Sequence, residues 1–294
     1  MTAMRLGGFV LVVVVASCGG GSGSPGGDAG GSDVAKVDAR TDAAKDVAVD
    51  APGTINDWSC LGHVKLAPPA KSTLNLMVSP VDIVSNMALP NVVVDACSAT
   101  DGTCSKPVAT ATTNAMGIAT LSVPAGTKGF DGFWRYQPSG DLESLEFSNI
   151  PFRNDVQVNG RQAWTHADVA IVLGSAGASW DTKKGIVGMQ VGDCTSTYLH
   201  QDTVTAPTGH TRAIGVSFSI KPSDPGVVQG YFLGDTLSTT AKQTDASGQG
   251  GWLNVPEGWV TMTATLVATG QTIATARVYA KAGALTGTSV SPDH

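Results

Sequence analysis

Few residues of this chain have types and spacings that support chemistry, and the clearest group is Tyr198, His200 and His210. On a β-strand, side chains two positions apart point to the same side, so Tyr198 and His200 can ligate one metal ion together with His210. The alternative is that all three are surface residues beside the loop 203–209. Because no H-x-x-E, H-E-x-x-H, G-x-S-x-G or G-x-x-x-x-G-K-[ST] motif occurs, the common zinc-peptidase, serine-hydrolase and nucleotide-hydrolase mechanisms are excluded. We predict no catalytic residues, no metal and no cofactor, and keep the metal-dependent enzyme as an alternative.

Four cysteines follow Cys18, an even number that fits disulfide bonds in an oxidising compartment. A short, turn-rich loop separates Cys97 from Cys104, and such a loop brings two Cα atoms close enough for a bridge. Cys60 and Cys194 are then left to pair with each other and clamp two domains together, or to remain buried free thiols. We expect no zinc site, because the chain has no C-x-x-C pair.

Three aromatic residues are candidates for ligand binding. Trp134 and Tyr136 fall on one face of a predicted strand, with Arg135 on the other, and form a possible platform for stacking sugars. Trp252 lies beside a Pro-Glu-Gly turn in the second half of the chain. The alternative is that these rings fill the core of a small β domain.

The first residues have the pattern of an export signal. One arginine precedes an apolar run that ends at Ala16, too short to cross a bilayer as a helix but of the length found in signal peptides. The sequence Val15-Ala16-Ser17-Cys18 resembles the lipobox of bacterial lipoproteins. That resemblance implies cleavage of residues 1–17 and attachment of lipid to Cys18, so the predicted partner is a membrane, reached through this lipid. Gly19 in place of Asp favours the outer membrane under the sorting pattern of enteric bacteria.

Residues 18–57 have the composition of a disordered tether. The first part is almost entirely Gly and Ser, and the second carries Asp38, Asp42, Asp46 and Asp50 at a spacing of four. These carboxylates would repel one another on one face of a helix, which favours a solvated spacer. A calcium-binding acidic face is the alternative.

Beyond residue 57 the pattern is that of an all-β protein. Short runs rich in Val, Ile and Thr are bounded by Gly, Pro, Asn and Asp, which favours sandwiches over βαβ units. We expect little helix. The predicted strands include 74–78, 91–96, 118–123, 169–173, 185–191, 213–220, 230–233 and 260–266.

An internal repeat predicts two tandem domains, at 58–174 and 175–294. Residues 113–126 (Thr-Asn-Ala-x-Gly to Pro-Ala-Gly) match residues 244–258 (Thr-Asp-Ala-x-Gly to Pro-Glu-Gly), and both copies place Leu two residues before Val. Upstream, Val92–Cys97 is matched to Met189–Cys194. The Asn or Asp followed by Gly predicts a turn with a positive φ angle.

These repeats resemble carboxypeptidase regulatory-like domains, also called transthyretin-like sandwiches. The resemblance implies two Ig/transthyretin-like β-sandwiches of a non-catalytic, cell-surface type that binds protein or carbohydrate or extends a chain. The second copy, with Trp252, is the closer match, because the first has Ile118 and Thr120 where an aromatic is expected. One oxygenase family with a transthyretin-like sandwich binds iron through two Tyr and two His, and Tyr198, His200 and His210 are similar to that set.

Composition excludes nucleic acid as a main partner. The chain has 294 residues, a net charge of −6 and only 18 Lys and Arg. Our prediction is therefore a lipid-anchored surface protein with adhesive, structural or ligand-binding roles, with a carbohydrate-binding module as the alternative.

Overall fold

The computed structural model describes residues 56–195 and 212–292. Cys18, the predicted signal peptide, nearly all of the predicted tether and the residues Tyr198, His200 and His210 lie outside these ranges, so their assignments stay predictions. Within them the chain forms strands β1 to β15 and the helix α1. No helix in the described ranges is long and apolar enough to cross a membrane.

In chain order the elements are β1 (Thr73–Asp82), β2 (Val93–Ser98), β3 (Ala109–Thr112), β4 (Ala119–Pro124), β5 (Gly132–Tyr136), β6 (Glu143–Ser148), β7 (Val156–Ala163), α1 (His166–Ser175), β8 (Gly185–Val191), β9 (Val216–Lys221), β10 (Val228–Leu233), β11 (Thr236–Ser238), β12 (Gln249–Val255), β13 (Gly258–Leu266), β14 (Thr272–Ala280) and β15 (Ala284–Val290).

Strand burial follows the alternation in the sequence. In β4, Ala119, Leu121 and Val123 are buried while the residues between them are exposed, as expected of a strand with one face on a core. The predicted strand 185–191 coincides with β8. The all-β fold class is confirmed.

The two halves of the chain form two sandwiches with the same strand plan. In the first, β1 pairs antiparallel with β4 and parallel with β7; in the second, β8 pairs antiparallel with β12 and parallel with β15. The facing sheets also correspond, because β2, β5 and β6 are consecutive neighbours in one sheet and β9, β13 and β14 in another. The chain therefore contains two tandem β-sandwiches.

The sandwiches are joined edge to edge by β-sheet pairing. β15, the last strand, pairs in parallel with β6 of the first sandwich. One nine-stranded sheet results, in the order β11-β10-β12-β8-β15-β6-β5-β2-β3. The predicted division at residues 174 and 175 falls at the end of α1, but the sheet continues across both halves.

Each face of the shared sheet carries hydrophobic clusters. The core of the first sandwich lies on one face and includes Leu76, Leu121 and Trp134. The core of the second lies on the other face and also contains Phe133 and Phe147, which belong to strands of the first sandwich. Phe133 and Phe147 stack with ring centroids 4.2 Å apart. The second core thus includes side chains from the first sandwich, and this shared burial stabilises the contact between the two sandwiches.

The first copy of the repeat is organised around Thr113, which is 2% exposed. Its hydroxyl accepts a hydrogen bond from the Val92 N–H at 2.8 Å and donates one to the Leu89 carbonyl at 2.7 Å. The following turn is closed by a bond from the Gly117 N–H to the Asn114 carbonyl, and Gly117 has a φ of 73°. The motif therefore requires Thr for its two backbone hydrogen bonds and Gly for the positive φ angle of the turn.

The second copy repeats this arrangement around Thr244, also 2% exposed. Its hydroxyl accepts from the Val216 N–H at 3.0 Å and donates to the Ala213 carbonyl at 2.6 Å. The Gly248 N–H bonds to the Asp245 carbonyl, and Gly248 has a φ of 63°. The repeat inferred from sequence is thus a repeated hydrogen-bond structure.

One part of the predicted repeat is wrong. Because Thr113 binds Val92 and Thr244 binds Val216, the counterpart of Val92–Cys97 is β9. Met189–Cys194 lies on β8 and beyond it, and β8 corresponds to β1.

The second copy is also one residue longer between the Gly and the Val of the motif. A register shift in β12 between Trp252 and Val255 accommodates that residue as a bulge, with Asn254 at a φ of 60°.

The predicted strand 169–173 is a second error, because these residues belong to α1. Thr165 caps the helix: its side chain accepts from the Asp168 N–H, and the Asp168 carboxylate accepts from the Thr165 N–H. Thr165-His-Ala-Asp168 is a capping-box sequence that favours a helix start, and it outweighs the strand preference of the Val and Ile that follow.

The predicted disulfide Cys97–Cys104 forms, with Cα atoms 5.4 Å apart, and of the two alternatives for Cys60 and Cys194 the structure has the disulfide, with Cα atoms 5.7 Å apart. The chain before β1 is also held by Asn56, whose side chain donates to the Arg212 carbonyl at 2.9 Å. The entry to the first sandwich is therefore attached to the second sandwich by a covalent bond and by hydrogen bonds.

Removing the Thr244 hydroxyl should test the repeat. We expect Thr244→Val to lower the free energy of unfolding by about 2–4 kcal/mol, because two buried backbone groups lose their partner. Thr113→Val should have a similar effect, and Thr120→Val, on the exposed face of β4, should have little. Urea unfolding measures all three, and equal stability of Thr244→Val and Thr120→Val would contradict the assignment.

The two disulfides should differ in their contribution to stability. Loop closure over a sequence separation of 134 predicts a loss of about 5 kcal/mol for Cys60→Ser/Cys194→Ser, against about 2 kcal/mol for the separation of 7 in Cys97→Ser/Cys104→Ser. Denaturant unfolding of both double variants measures the difference. If removal of Cys97–Cys104 lowered the free energy of unfolding more than removal of Cys60–Cys194, the long-range disulfide would not stabilise the protein by constraining the unfolded chain.

Candidate functional site

The predicted aromatic platform is buried. Trp134 and Tyr136 are each 1% exposed, and Trp252 is 2% exposed. The Trp134 ring lies 5.5 Å from that of Phe152 within the first core, and the Tyr136 hydroxyl donates to the Gln162 carbonyl at 3.2 Å. Sugars cannot stack on rings without exposed faces, so the prediction of ligand contact at these three residues is wrong. These three aromatic rings instead contribute buried apolar area to the hydrophobic cores of the two sandwiches.

Trp259, which also flanks the second repeat, is only half-buried. The Arg277 guanidinium lies 4.3 Å from its ring centroid, a cation–π contact, and Tyr279 meets the ring edge-on. One face of this ring is therefore already occupied by Arg277.

A carboxylate cluster lies where α1 begins. Burial raises the pKa of Asp141, and the neighbouring charges of Asp82 and Asp168 raise the pKa further. Asp168 caps α1, and Asp82 accepts hydrogen bonds from Ser85. Each of these two partners therefore has a structural task. The described residues contain no group of three or more His, Cys, Asp or Glu placed to hold a metal ion.

A row of four glycines crosses the shared sheet. Gly230 on β10 is the register partner of Gly251 on β12, Gly251 of Gly188 on β8, and Gly188 of Gly287 on β15. Register partners share a face of the sheet, so these four positions contribute no side chains of their own to that face. The next register partner, Glu146 on β6, belongs to the first sandwich. We call this row of four glycines the glycine trench.

Three of the glycines have a packing reason. A Cβ on Gly230 would lie 2.8 Å from Leu237, one on Gly251 would lie 2.3 Å from the Val187 carbonyl oxygen, and one on Gly287 would lie 2.6 Å from a carboxylate oxygen of Glu146. The last contact places the Glu146 carboxylate directly over Gly287. One end of the trench therefore carries a charged group.

Gly188 has no such reason. An added Cβ would meet only the Thr286 carbonyl oxygen, at 4.0 Å, and the backbone has no positive φ there. A glycine inside a strand costs about 0.5–1 kcal/mol relative to alanine. Because neither packing nor backbone conformation requires it, Gly188 leaves open space above the sheet, as glycines do where a ligand approaches.

The two walls of the glycine trench differ in polarity. On one side, Leu253, Ile186 and Leu285 form an apolar row that packs with α1. On the other side, Gln249, Gln190 and Ser289 are register neighbours on β12, β8 and β15. These walls enclose a cavity of about 180 Å³, which Arg212 and Glu146 also line. The site is thus apolar along one side and polar along the other.

Gln249 is unusual among the residues of the polar wall. It is 4% exposed, and its side-chain nitrogen has no hydrogen-bond partner among the described residues. A buried donor without a partner costs about 1–3 kcal/mol. Native proteins contain few such groups, and one that lines a cavity can donate to a molecule bound there.

Sequence reasoning missed the glycine trench. An isolated Gly188 within the strand pattern 185–191 was the available signal, because glycine inside a strand indicates a bulge or a close approach. The sequence does not reveal that glycines from four separate strands fall into one register.

Comparison with known proteins gives weak structural likenesses only. No family model matches the chain, and no curated protein matches it. Among solved structures, it is similar to the Bacillus anthracis TIE protein (14% identity, 75% of this chain and 34% of that one, TM-score 0.25). It is also similar to the shaft pilin SpaA from Lactobacillus rhamnosus GG (13% identity, 76% and 98%, TM-score 0.24) and to GBS52, the minor pilin of Streptococcus agalactiae (11% identity, 74% and 94%, TM-score 0.22). The chain spans about a third of the TIE protein.

Proposed function

We propose that this chain is a lipid-anchored, non-catalytic cell-surface protein. Its two carboxypeptidase regulatory-like sandwiches would act as one rigid module with an adhesive, structural or ligand-binding role. The observation that carries the rigid module is the pairing of β15 with β6, which joins the two sandwiches into a single sheet.

A second contact supports the rigidity of the module. Lys281, in the turn before β15, forms an ion pair with Glu143 on β6 of the first sandwich. The Cys60–Cys194 disulfide attaches the chain before the first sandwich to the second. Two sandwiches held by backbone pairing, a charge pair and a disulfide have no free hinge between them, and a rigid unit suits a protein that holds or presents something outside the cell.

The proposed position in the cell rests on the sequence before the sandwiches. Lipid on Cys18 would anchor the chain, and the tether of residues 18–57 would hold the module clear of the headgroups. Gly19 after the cysteine favours the outer membrane in this proposal.

Replacing the proposed lipid-bearing cysteine tests the anchor. We expect Cys18→Ser to move the protein from the membrane fraction to the soluble fraction, because the chain would lose its acyl chains. Ser17→Ala is the matched control and should stay anchored, since it keeps a small residue before the cysteine. Fractionation followed by immunoblotting measures both, and membrane retention of Cys18→Ser would contradict a lipid anchor.

A further inference from the structure

The glycine trench combines two features that point to a ligand independently. Gly188 leaves space that neither packing nor backbone geometry explains. Gln249, 4% exposed, contributes a side-chain nitrogen with no partner among the described residues. An occupant of the trench would fill the space above Gly188 and accept a hydrogen bond from Gln249.

The charges around the glycine trench favour a neutral occupant. The Glu146 carboxylate lies over Gly287 at one end, and Arg212 also lines the cavity. Because these two lining residues carry opposite charges, the cavity favours neither an anion nor a cation. A neutral ligand with several hydroxyl groups can bind beside both side chains, because a hydroxyl donates to a carboxylate and accepts from an amide or a guanidinium.

The difference between the walls defines the shape of the ligand further. Leu253, Ile186 and Leu285 need an apolar surface against them, whereas Gln249 and Gln190 need polar atoms. A pyranose ring has both, with C–H groups on its faces and hydroxyls around its edge. The bare floor at Gly188 lets such a ring lie close to the sheet, and about 180 Å³ is room for roughly six water molecules, on the scale of one ring.

We propose that the glycine trench binds one neutral pyranose unit of a glycan. The hydroxyls would accept from Gln249 and donate to Glu146, and the apolar side of the ring would lie along Leu253 and Leu285. This inference rests on the proposed function, since it specifies the ligand of the surface module. It moves carbohydrate recognition from the buried Trp134 and Trp252 to the outer face of the second sandwich.

Titration of the full chain tests the ligand class. We would use the chain with Cys18→Ser, so that no detergent competes for the apolar wall of the trench, and titrate glucose, galactose, mannose and N-acetylglucosamine by calorimetry. Cyclohexanol is the control probe, because it has a similar ring with a single hydroxyl. We expect saturable binding of at least one sugar and much weaker binding of cyclohexanol. Binding of cyclohexanol alone, or of none of the probes, would overturn the proposal.

Gly188 variants test the location of the ligand. We expect Gly188→Ala to keep or raise the midpoint of urea unfolding while weakening sugar binding, and Gly188→Val to abolish binding, because the side chain rises from the floor. Gly174→Ala is the matched control: Gly174 is exposed on α1 with no neighbour near an added Cβ, so it should affect stability alone. Unchanged sugar affinity in Gly188→Val, or lower stability in Gly188→Ala, would refute the role given to Gly188.

Gln249→Met tests the unpartnered amide without depending on Gly188. We expect sugar affinity to fall about tenfold or more, the loss of one hydrogen bond, while stability is kept or increased because a buried donor without a partner is removed. A loss of stability with unchanged affinity would assign Gln249 a structural role and contradict the proposal. The titration is independent of the fractionation of Cys18→Ser, so failure of sugar binding and failure of the anchor give different results.

Discussion

The parallel pairing of β15 with β6 is the contact on which the rest of this structure depends. It turns two sandwiches into one body with a continuous sheet. It also covers the edge of β6, which would otherwise present unpaired backbone groups. Once the sheet is continuous, Phe133 and Phe147 of the first sandwich lie over the core of the second. The two tandem sandwiches therefore form one unit in which residues of both contribute to the same hydrophobic core.

The same pairing places a charged group at one end of the glycine trench. Its floor comes from strands of the second sandwich, and its charged end, Glu146, comes from the first. The apolar wall packs with α1, which connects the two sandwiches. The site therefore takes its floor and walls from the second sandwich and its charged end from the first. The two sandwiches also share one strand plan and one buried threonine arrangement, yet differ at the surface, because β12 contains a bulge and pairs with β10.

Much of the fold was predictable because its signals are local. Alternating Leu121 and Val123 predict a strand with one buried face, and the short loop between Cys97 and Cys104 predicts their bridge. The helix α1 was missed because Val169 to Leu173 resembles a strand when Thr165 and Asp168 are overlooked. Trp134 and Tyr136 were assigned to one face correctly, since alternation gives the face. Alternation does not say which face is covered, and here a second sheet packs over both rings.

By itself, the sequence determined which residues form most of the strands, the two-copy plan and the cysteines that pair across the short loop. These depend on side-chain periodicity and on residues close together in the chain. Only the tertiary structure decided that β15 joins β6, that Cys60 meets Cys194, and that Gly230, Gly251, Gly188 and Gly287 align. The physical reason is that strands pair through backbone groups that nearly every residue carries, so the partner and register of an edge strand depend on the packing of the whole molecule.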